Sequence, residues 1–544
     1  MNTMPAKQSP AGATPPLVGS DPLAGAEPTV AGELRRRARE VPDAPFLTSL
    51  DGAVTYAEAD RRSDQLAASL ADMGIGKGDF VAIFMFNSVE LVLTSFAIAK
   101  LGAVSVPINT DYKGELLRYV LSDSAARVAV VDDELVDRVV AVHGAESTLE
   151  HLVVRTSNDA MPDAPLPVTR LAETSGNTVP ELSARRSDLF MVLYTSGTTG
   201  PSKGVMVSNG HCLAFASDWV RAVEFTSKDV LYGPLPLFHG IAFILGMVAT
   251  VRVGAHMHLR RRFSASRFWD DVRATGSTVA HTIFSIIPIL LSAQPNERDK
   301  DHNLRAAYIG PSKLAPAFEE RFGATVIEVY GQSETGIVTW GPIGTVPPGS
   351  CGRVNEDRFE VRVVDDEDHE VPVGTVGELI VRPREPYTMM LGYLNKPEAT
   401  VETFRNLWHH TGDRGYLDED GWLYFSDRAK DCIRRRGENI SSYEIELLAG
   451  VHPEIEECAA IPVPAELEEE EVKLHLVRVP GSTLTAEALH AWCQEHMPRF
   501  MVPRFIEFLD AMPKTPSQKV EKYLLRQAGR NGITDATWDA EGAR

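Results

Sequence analysis

The feature that most constrains this chain is a loop of small residues set between two apolar runs. The loop, residues 194–204, holds three glycines, five serine or threonine residues and one lysine. The apolar runs 189–193 and 205–207 predict a strand on either side. Glycine lets the backbone approach a phosphate closely, N–H groups and hydroxyls bind phosphate oxygens, and lysine adds positive charge. The pattern therefore predicts a polyphosphate-binding loop between two strands.

Two other interpretations compete for this loop. A nucleotide-binding P-loop requires glycine directly before the lysine and a helix after it. Here Ser202 precedes Lys203 and a strand-like run follows, which disfavours a P-loop. A surface loop rich in turn-forming residues is the second alternative, and it would suffice if the loop stood alone.

Five separated motifs together resemble the adenylate-forming superfamily, which includes acyl-CoA synthetases, aryl-CoA ligases, peptide-synthetase adenylation domains and beetle luciferases. The motifs are residues 194–204, 330–336, 411–413, 427–431 and 513–515, the last leading to Lys519. The resemblance runs from about residue 31 to about residue 526. It implies a multi-domain α/β fold: a large N-terminal domain of α/β layers with a small β subdomain, and a small mobile α+β C-terminal domain.

The predicted domain boundaries follow from composition and from the motifs. Residues 1–30 are rich in Ala, Pro and Gly and predict a disordered leader. Residues 31–428 form the expected adenylation domain, and residues 429–530 form the expected rotating domain. Residues 531–544 are left as a tail. In the family, the small domain swings about the position that matches Lys430.

Composition excludes several classes of protein. A chain of 544 residues with a formal charge of −21 disfavours nucleic acid as a partner, because phosphate backbones favour basic surfaces. Five widely spaced cysteines disfavour a disulfide framework and a zinc site, which favours a reducing cytoplasm. No apolar run in the sequence reaches the length of a membrane span. A homodimer is left open.

The resemblance implies a site for Mg-ATP. Tyr330 is expected to stack on adenine and Asp413 to bind both ribose hydroxyls. Lys519, Lys203 and Glu334 are the expected catalytic residues, and Mg²⁺ is expected at Thr195 and Glu334. The full set expected to bind ATP is Thr195, Ser196, Gly197, Thr198, Thr199, Lys203, Ser312, Tyr330, Gly331, Ser333, Asp413, Arg428, Lys430, Arg434 and Lys519.

The resemblance also implies sites for an acid and for CoA. Ile241 and Leu245 match acyl-pocket positions, and their aliphatic side chains indicate an apolar acid. A hydrogen-bonded turn histidine is the alternative for His239, and a solvated charge cluster is the alternative for the arginines. The expected acid pocket comprises His239, Ile241, Leu245, Gly310 and Val338, and the expected CoA contacts are Arg262, Arg436 and Gly437.

These sites imply an AMP-forming acid–thiol ligase that makes an acyl-adenylate and then an acyl-CoA thioester. Residues 434–446 look most like those of crotonobetaine/carnitine-CoA ligases, which favours CoA as the acceptor. The alternatives are a carrier protein as acceptor, or an amine, including nitrite activation for diazotisation. A nucleotide-binding regulator without turnover is a third alternative. It is disfavoured by the presence together of five charged site residues, Lys203, Glu334, Asp413, Arg428 and Lys519.

Overall fold

The computed structural model describes residues 28–144, 147–156, 158, 160–174, 183–195, 202–282, 286–309, 315–428, 432–435, 438–465, 470–514 and 520–542. Residues 1–27 of the predicted leader lie outside this set. Thr29 caps the first helix, which begins at Val30.

The helices of the described residues are listed here in chain order. They are α1 (Val30–Glu40), α2 (Tyr56–Asp72), α3 (Val89–Lys100), α4 (Gly114–Ser124), α5 (Val136–Val142), α6 (Asn209–Ala222), α7 (Ala249–Val253), α8 (Phe268–Thr275), α9 (Ile286–Ser292), α10 (Ala315–Phe322), α11 (Pro397–Thr403), α12 (Ser442–Gly450), α13 (Ala486–His496) and α14 (Lys522–Gln527). A π-helix, Ile241–Val248, precedes α7.

The strands follow the same order. They are β1 (Pro45–Ser49), β2 (Gly52–Thr55), β3 (Phe80–Phe84), β4 (Val104–Pro107), β5 (Val128–Asp132), β6 (His151–Arg155), β7 (Val168–Arg170), β8 (Leu189–Thr195), β9 (Lys203–Ser208), β10 (Val230–Gly233), β11 (His256–Leu259), β12 (Val279–His281), β13 (Ala306–Ile309), β14 (Thr325–Glu328), β15 (Tyr330–Gln332), β16 (Gly336–Trp340), β17 (Arg353–Val354), β18 (Phe359–Val364), β19 (Gly377–Pro383), β20 (His409–Leu417), β21 (Leu423–Arg428), β22 (Cys432–Arg435), β23 (Glu438–Ser441), β24 (Ile455–Pro464), β25 (Glu470–Arg478), β26 (Phe505–Phe508) and β27 (Trp538–Asp539).

Two mostly parallel sheets form the centre of the large domain, by which we mean the elements up to β21. One sheet has the order β7-β6-β5-β3-β4-β8-β9, and the other has the order β14-β13-β12-β10-β11-β1-β2. Strands β3 to β6 are almost continuous apolar runs, as expected for parallel strands that helices cover on both faces. The α/β layers predicted from the sequence are confirmed.

The loop of small residues joins an antiparallel pair at the edge of the first sheet. Strand β9 runs antiparallel to β8, and Thr195 lies opposite Lys203. Ser208 then caps α6 by accepting a hydrogen bond from the backbone N–H of His211. The strand that follows Lys203 confirms that this loop is not a P-loop, because a P-loop leads into a helix.

A four-stranded antiparallel sheet, β18-β19-β20-β21, forms the small β subdomain. The elements after it, which we call the small domain, comprise the hairpin β22-β23 and a sheet of order β24-β25-β26-β27. Trp538 pairs with Ile506, so the end of the chain adds a strand to this sheet.

The small domain packs on the large domain. One apolar cluster combines large-domain residues such as Val106 and Val131 with small-domain residues such as Ile440 and Leu474, all of them buried. This packing brings β22 and β23 close to the site described next. None of the helices in the described part of the chain has the length and apolarity needed to span a membrane.

Candidate active site

A cavity of about 1110 Å³ lies between the large and the small domain. The large domain contributes the facing ends of β8 and β9, the start of the π-helix and the turn after β15. The small domain contributes Glu438, Glu444, Arg499, Phe500 and Met501. A deep cleft between two domains is a common place for a ligand site.

One wall of this cavity is lined by Thr195 and Lys203, which end β8 and begin β9. The hydroxyl of Thr195 donates to the carbonyl of Lys203 at 3.4 Å. The Lys203 ammonium nitrogen lies 4.8 Å from the centroid of the Tyr393 ring, where the aromatic face attracts a cation. The strand pair therefore holds a hydroxyl and an ammonium together at the cavity wall.

The carboxylate of Glu334 also lies at this wall. Glu334 lines the cavity and accepts a hydrogen bond from the Tyr393 hydroxyl at 3.0 Å. Burial, and secondly the neighbouring Glu334, raise the pKa of Tyr393 above its ordinary value, so the phenol stays a donor. The described residues hold no cluster of three or more His, Cys, Asp or Glu side chains arranged for a metal.

Asp413 and Tyr330 form a second polar group at the cavity. Asp413 lines the cavity and is 2% exposed, and it accepts hydrogen bonds from the Tyr330 hydroxyl at 2.9 Å and from Gln332 Nε2 at 2.7 Å. The Gln332 amide also donates to the Thr411 carbonyl at 2.9 Å. These bonds fix the carboxylate before any ligand arrives.

Neighbouring residues brace the turn that carries Asp413. The backbone N–H of Gly412 donates to Glu378 Oε1 at 3.0 Å, and Gly412 has a φ of +70°, in the region that favours glycine. Glu378 Oε2 also lies 3.1 Å from His410 Nδ1. The Thr-Gly-Asp sequence thus forms a rigid turn inside β20.

Two predicted residues occupy positions other than the cavity wall. Tyr330 is 7% exposed, and its ring lies 6.4 Å from that of Phe425 in the core of the small β subdomain. Val338 is fully buried in the same core, whereas its neighbour Ile337 lines the cavity. Gly331 does line the cavity, and a Cβ there would lie 2.1 Å from the Gly336 carbonyl oxygen. Ser333 also lines the cavity.

The other end of the cavity is largely apolar. Ile241 and Leu245, one turn apart on the π-helix, line it as the sequence predicts. Phe215 from α6, Tyr308 from β13 and Ile337 from β16 complete this wall. The wall excludes water from any group held against it and can select for size and shape.

His239 lies where the two domains meet. Its Nε2 atom is 3.1 Å from Glu438 Oε1 on β23, and its ring is 4.4 Å from the Phe238 ring. Burial opposes protonation, but the carboxylate of Glu438 outweighs it and raises the pKa of His239 above its ordinary value. The pair therefore links the cavity wall to the small domain.

Two buried histidines lie behind the apolar wall. The ring of His281 packs against Trp219 at 5.2 Å and Tyr308 at 6.0 Å, and the ring of His211 stacks on Phe215 at 6.0 Å. Their ring nitrogens find no hydrogen-bond partner among the described residues. Burial lowers the pKa of each imidazole to about 3, so both are neutral near pH 7.

A basic patch lies at the rim. The guanidinium groups of Arg261 and Arg262 lie 4.2 and 4.7 Å from the centroid of the Phe86 ring. Arg261 also pairs with Glu134 at 2.6 Å. Both arginines line the cavity, as does Arg499 of the small domain. Arg262 is the predicted CoA contact, and the other two add positive charge to the same cavity.

The backbone N–H of Arg434 donates to Glu470 Oε2 at 2.8 Å, a contact within the small domain. Arg428 pairs with Asp413 in the backbone register of β20 and β21, and its side chain is not described. The remaining predicted residues lie outside the described ranges. They are Ser196, Gly197, Thr198, Thr199, Gly310, Ser312, Lys430, Arg436, Gly437 and Lys519.

The chain matches two family models. Residues 34–394 match the AMP-binding enzyme model, and residues 444–519 match the AMP-binding enzyme C-terminal domain. The first match covers more than half of the chain. The chain therefore belongs to the AMP-binding enzyme family, and the resemblance to adenylate-forming enzymes is confirmed. It is an enzyme of the AMP-forming acid–thiol ligase class.

Individual relatives cover nearly the whole chain. A crotonobetaine/carnitine-CoA ligase from Proteus mirabilis is 32% identical over 489 residues, which span 86% of this chain and 92% of that protein. A crystal structure of an anthranilate CoA ligase with anthranoyl-AMP is 26% identical, has a TM-score of 0.68, and matches 92% of this chain and 97% of that one.

A third relative supports the fold alone. The structure of an amide bond synthetase from Marinactinospora thermotolerans is 23% identical, has a TM-score of 0.79, and matches 92% of this chain and 99% of that one. With the anthranilate CoA ligase, it confirms the predicted fold class: a large N-terminal α/β domain and a smaller C-terminal domain.

Several residues of the site were not predicted. Phe215 and Tyr308 line the apolar wall, Tyr393 holds Glu334, and Glu438 and Glu444 reach the cavity from the small domain. Tyr393 lies in the segment 392–400, which resembles the family, so the sequence does carry a signal for it. Sequence pattern carries no comparable signal for the two glutamates, because their place depends on how the domains pack.

Proposed function

We propose that this enzyme is an ATP-dependent acid–CoA ligase that acts on an apolar carboxylic acid. One observation carries the proposal: a single cavity joins the polar residues Lys203, Glu334 and Asp413 to an apolar wall that includes Ile241 and Leu245. The first group suits a nucleotide triphosphate and the second suits an acyl group. The cavity is large enough to hold both.

In the first half-reaction, an oxygen of the substrate carboxylate attacks the α-phosphorus of ATP. A bond forms between that oxygen and phosphorus, the bond from the α-phosphorus to the bridging oxygen breaks, and pyrophosphate leaves. Lys203 stabilises the negative charge that develops, and Asp413 accepts hydrogen bonds from the ribose. Lys519 is proposed to neutralise charge at the same phosphorus.

The donors at the phosphate side suit Mg²⁺, which prefers a few carboxylate or hydroxyl oxygens together with substrate phosphates. Glu334 and Thr195 supply one donor of each kind at the cavity wall. When bound, the ion would offset the charge of the phosphate oxygens.

In the second half-reaction, the sulfur of CoA attacks the acyl carbon and the carbon–oxygen bond to AMP breaks. The products are the thioester, AMP and the proton of the thiol. Arg262, together with Arg261 and Arg499, supplies positive charge at the rim for the phosphates of CoA. Positioning of the two reactants supplies most of the catalysis.

The experiment is a pyrophosphate-release screen over acids, with and without CoA. The panel contains short and medium-chain fatty acids, aromatic acids, crotonobetaine and nitrite. We expect pyrophosphate with apolar acids, and a thioester only when CoA is present. Release with nitrite alone, or with apolar acids and an amine but not CoA, would favour the alternative acceptors. ATP binding without release for any acid would favour a regulator.

A pair of leucine variants tests the acid side. Leu245→Ala enlarges the apolar wall and should shift the preference toward bulkier acids. Leu213→Ala is the matched control, because Leu213 is also buried, on α6, but does not line the cavity. An unchanged acid preference in Leu245→Ala would contradict the assignment of the acyl wall.

We further propose a cytoplasmic location. The described cysteine thiols, those of Cys212, Cys351, Cys458 and Cys493, are not in disulfides, which suits a reducing compartment. A homodimer stays a prediction that size-exclusion chromatography with light scattering would test.

A further inference from the structure

Glu444, in the first turn of α12, reaches across the domain boundary to the end of the phosphate-binding loop. Its Oε1 atom accepts a hydrogen bond from the Ser202 backbone N–H at 3.0 Å and a second, short one from the Ser202 hydroxyl. Glu444 is 1% exposed. Its Oε2 atom is buried and accepts no hydrogen bond from the residues that the structure describes.

Ser202 is held from both sides. Its carbonyl accepts a hydrogen bond from the Tyr119 hydroxyl at 2.9 Å, and the residue is 2% exposed. The next residue is Lys203, which lines the cavity. The position of the small domain is therefore linked, through one serine, to the backbone that presents Lys203.

Glu444 is buried because the small domain packs on the large domain, so its contact with Ser202 depends on that packing. Burial raises the pKa of Glu444 to about 7, although the hydrogen bonds from Ser202 act to lower it. A carboxyl group that is buried in this way is costly without its hydrogen bonds. The small domain thus loses a specific contact whenever it leaves Ser202.

The contact forms in the arrangement of the two domains that the structure shows. Here the hairpin β22-β23 faces the cavity, with Glu438 against His239. The same arrangement places Arg499 of the small domain on the cavity that Arg262, the proposed CoA contact, also lines. This arrangement therefore suits the step in which CoA reacts.

We propose that Glu444 is a positioning residue that fastens the small domain in the thioester-forming arrangement by holding the N–H and the hydroxyl of Ser202. The inference rests on the proposed function, because it assigns the contact to the second half-reaction. In the adenylating arrangement, the small domain turns away and the donors of Ser202 are released. Glu444 acts through the position of the domain and does not touch the reacting atoms.

The first test separates the two half-reactions. Glu444→Ala should lower the rate of thioester formation from preformed acyl-adenylate by about tenfold or more, and should change pyrophosphate release by less than about twofold. Glu444→Gln keeps one acceptor for Ser202 and should recover much of the rate. Equal losses in both steps, or no loss in the second step, would overturn the proposal.

The matched control lies two residues further on the same helix. Glu446 accepts one hydrogen bond from the Ala460 backbone N–H at 2.7 Å and pairs with Lys522 at 2.7 Å, both within the small domain. Glu446→Ala therefore removes the contacts of a half-buried carboxylate without breaking the link between domains. It should leave the ratio of the two half-reaction rates unchanged. A ratio that shifts as much as in Glu444→Ala would also overturn the proposal.

The second test needs no substrate. Hydrogen exchange is followed in the protein without ligands, in a peptide that contains Ser202 and in one that contains α12. Glu444→Ala should speed exchange in both peptides, and Glu446→Ala only in the second. Unchanged exchange at Ser202 in Glu444→Ala would refute the contact. If the protein turned over no acid, the proposed function would fail while this result stood.

Discussion

Replacing Asp413 with asparagine tests the ribose site and keeps the size of the side chain. Asp413 is buried and already bound to the Tyr330 hydroxyl and the Gln332 amide. Asparagine removes the negative charge. Both donors bind Oδ2, so the asparagine oxygen can take that place and keep both bonds, and an amide nitrogen, which cannot accept a hydrogen bond, then replaces Oδ1. The variant therefore weakens the acceptor that the two ribose hydroxyls of ATP are proposed to use.

The magnitude follows from the hydrogen bonds involved. A hydrogen bond to a charged group contributes about 1.5–3 kcal/mol, against about 0.5–1.5 kcal/mol for a neutral pair. Two ribose hydroxyls then lose about 2–3 kcal/mol together, which corresponds to a roughly 30- to 150-fold weaker Kd for ATP.

Tyr330→Phe separates the contribution of the Tyr330 ring from that of its hydroxyl. If Tyr330 only stacks on adenine, phenylalanine keeps the aromatic face and the Kd for ATP should not change. If its hydroxyl positions Asp413, as the 2.9 Å contact indicates, one neutral donor is lost and the Kd should rise by about fivefold.

Isothermal titration of Mg-ATP into the wild-type protein and both variants gives these values without knowledge of the acid. Thermal unfolding of each variant checks that the fold is intact. A Kd in Asp413→Asn within about twofold of the wild-type value would refute the assigned role, because it would mean that the carboxylate makes no contact with the nucleotide.

Three further predictions concern other parts of the site. Lys519→Ala should lower adenylation by on the order of a hundredfold, as loss of one preorganised charge can; an unchanged pyrophosphate-exchange rate would remove that assignment. Glu334→Gln should raise the Mg²⁺ concentration needed for half-maximal pyrophosphate release, whereas an unchanged requirement would place the ion elsewhere. The folded protein disfavours protonation of His281 and the unfolded chain does not. As the pH drops below about 6.5, the free energy of unfolding should therefore decrease by about 1.4 kcal/mol per pH unit because of this group. Urea midpoints at pH 7 and pH 5 should therefore differ less in His281→Asn than in the wild type, and equal differences would contradict the buried neutral imidazole.

The sequence predicts the parts of the site that are built locally. The paired strand ends at Thr195 and Lys203, and the turn that carries Asp413, lie in or beside short runs of glycine, serine and threonine, so local pattern suffices to find them. The fold class follows from the alternation of apolar strands and helices in the large domain and from the order of the motifs.

The rest of the site depends on contacts between distant segments. Ile337 and Val338 point to opposite faces of β16, because side chains alternate along a strand, and the sequence does not say which face meets the cavity. Tyr330 reaches Asp413 across 83 residues, and Glu444 reaches Ser202 across 242. Pairings of that kind are set by sheet register and domain packing, which the sequence of a single chain does not reveal.

The central claim is that an oxygen of an acid becomes joined to AMP in the cavity between the two domains. Oxygen-18 in the carboxylate of a turned-over acid tests this most directly. The reaction is run with CoA. AMP and pyrophosphate are then separated, and their masses are measured by mass spectrometry. We predict one oxygen-18 atom in AMP and none in pyrophosphate. Unlabelled AMP, or label in pyrophosphate or inorganic phosphate, would contradict the account.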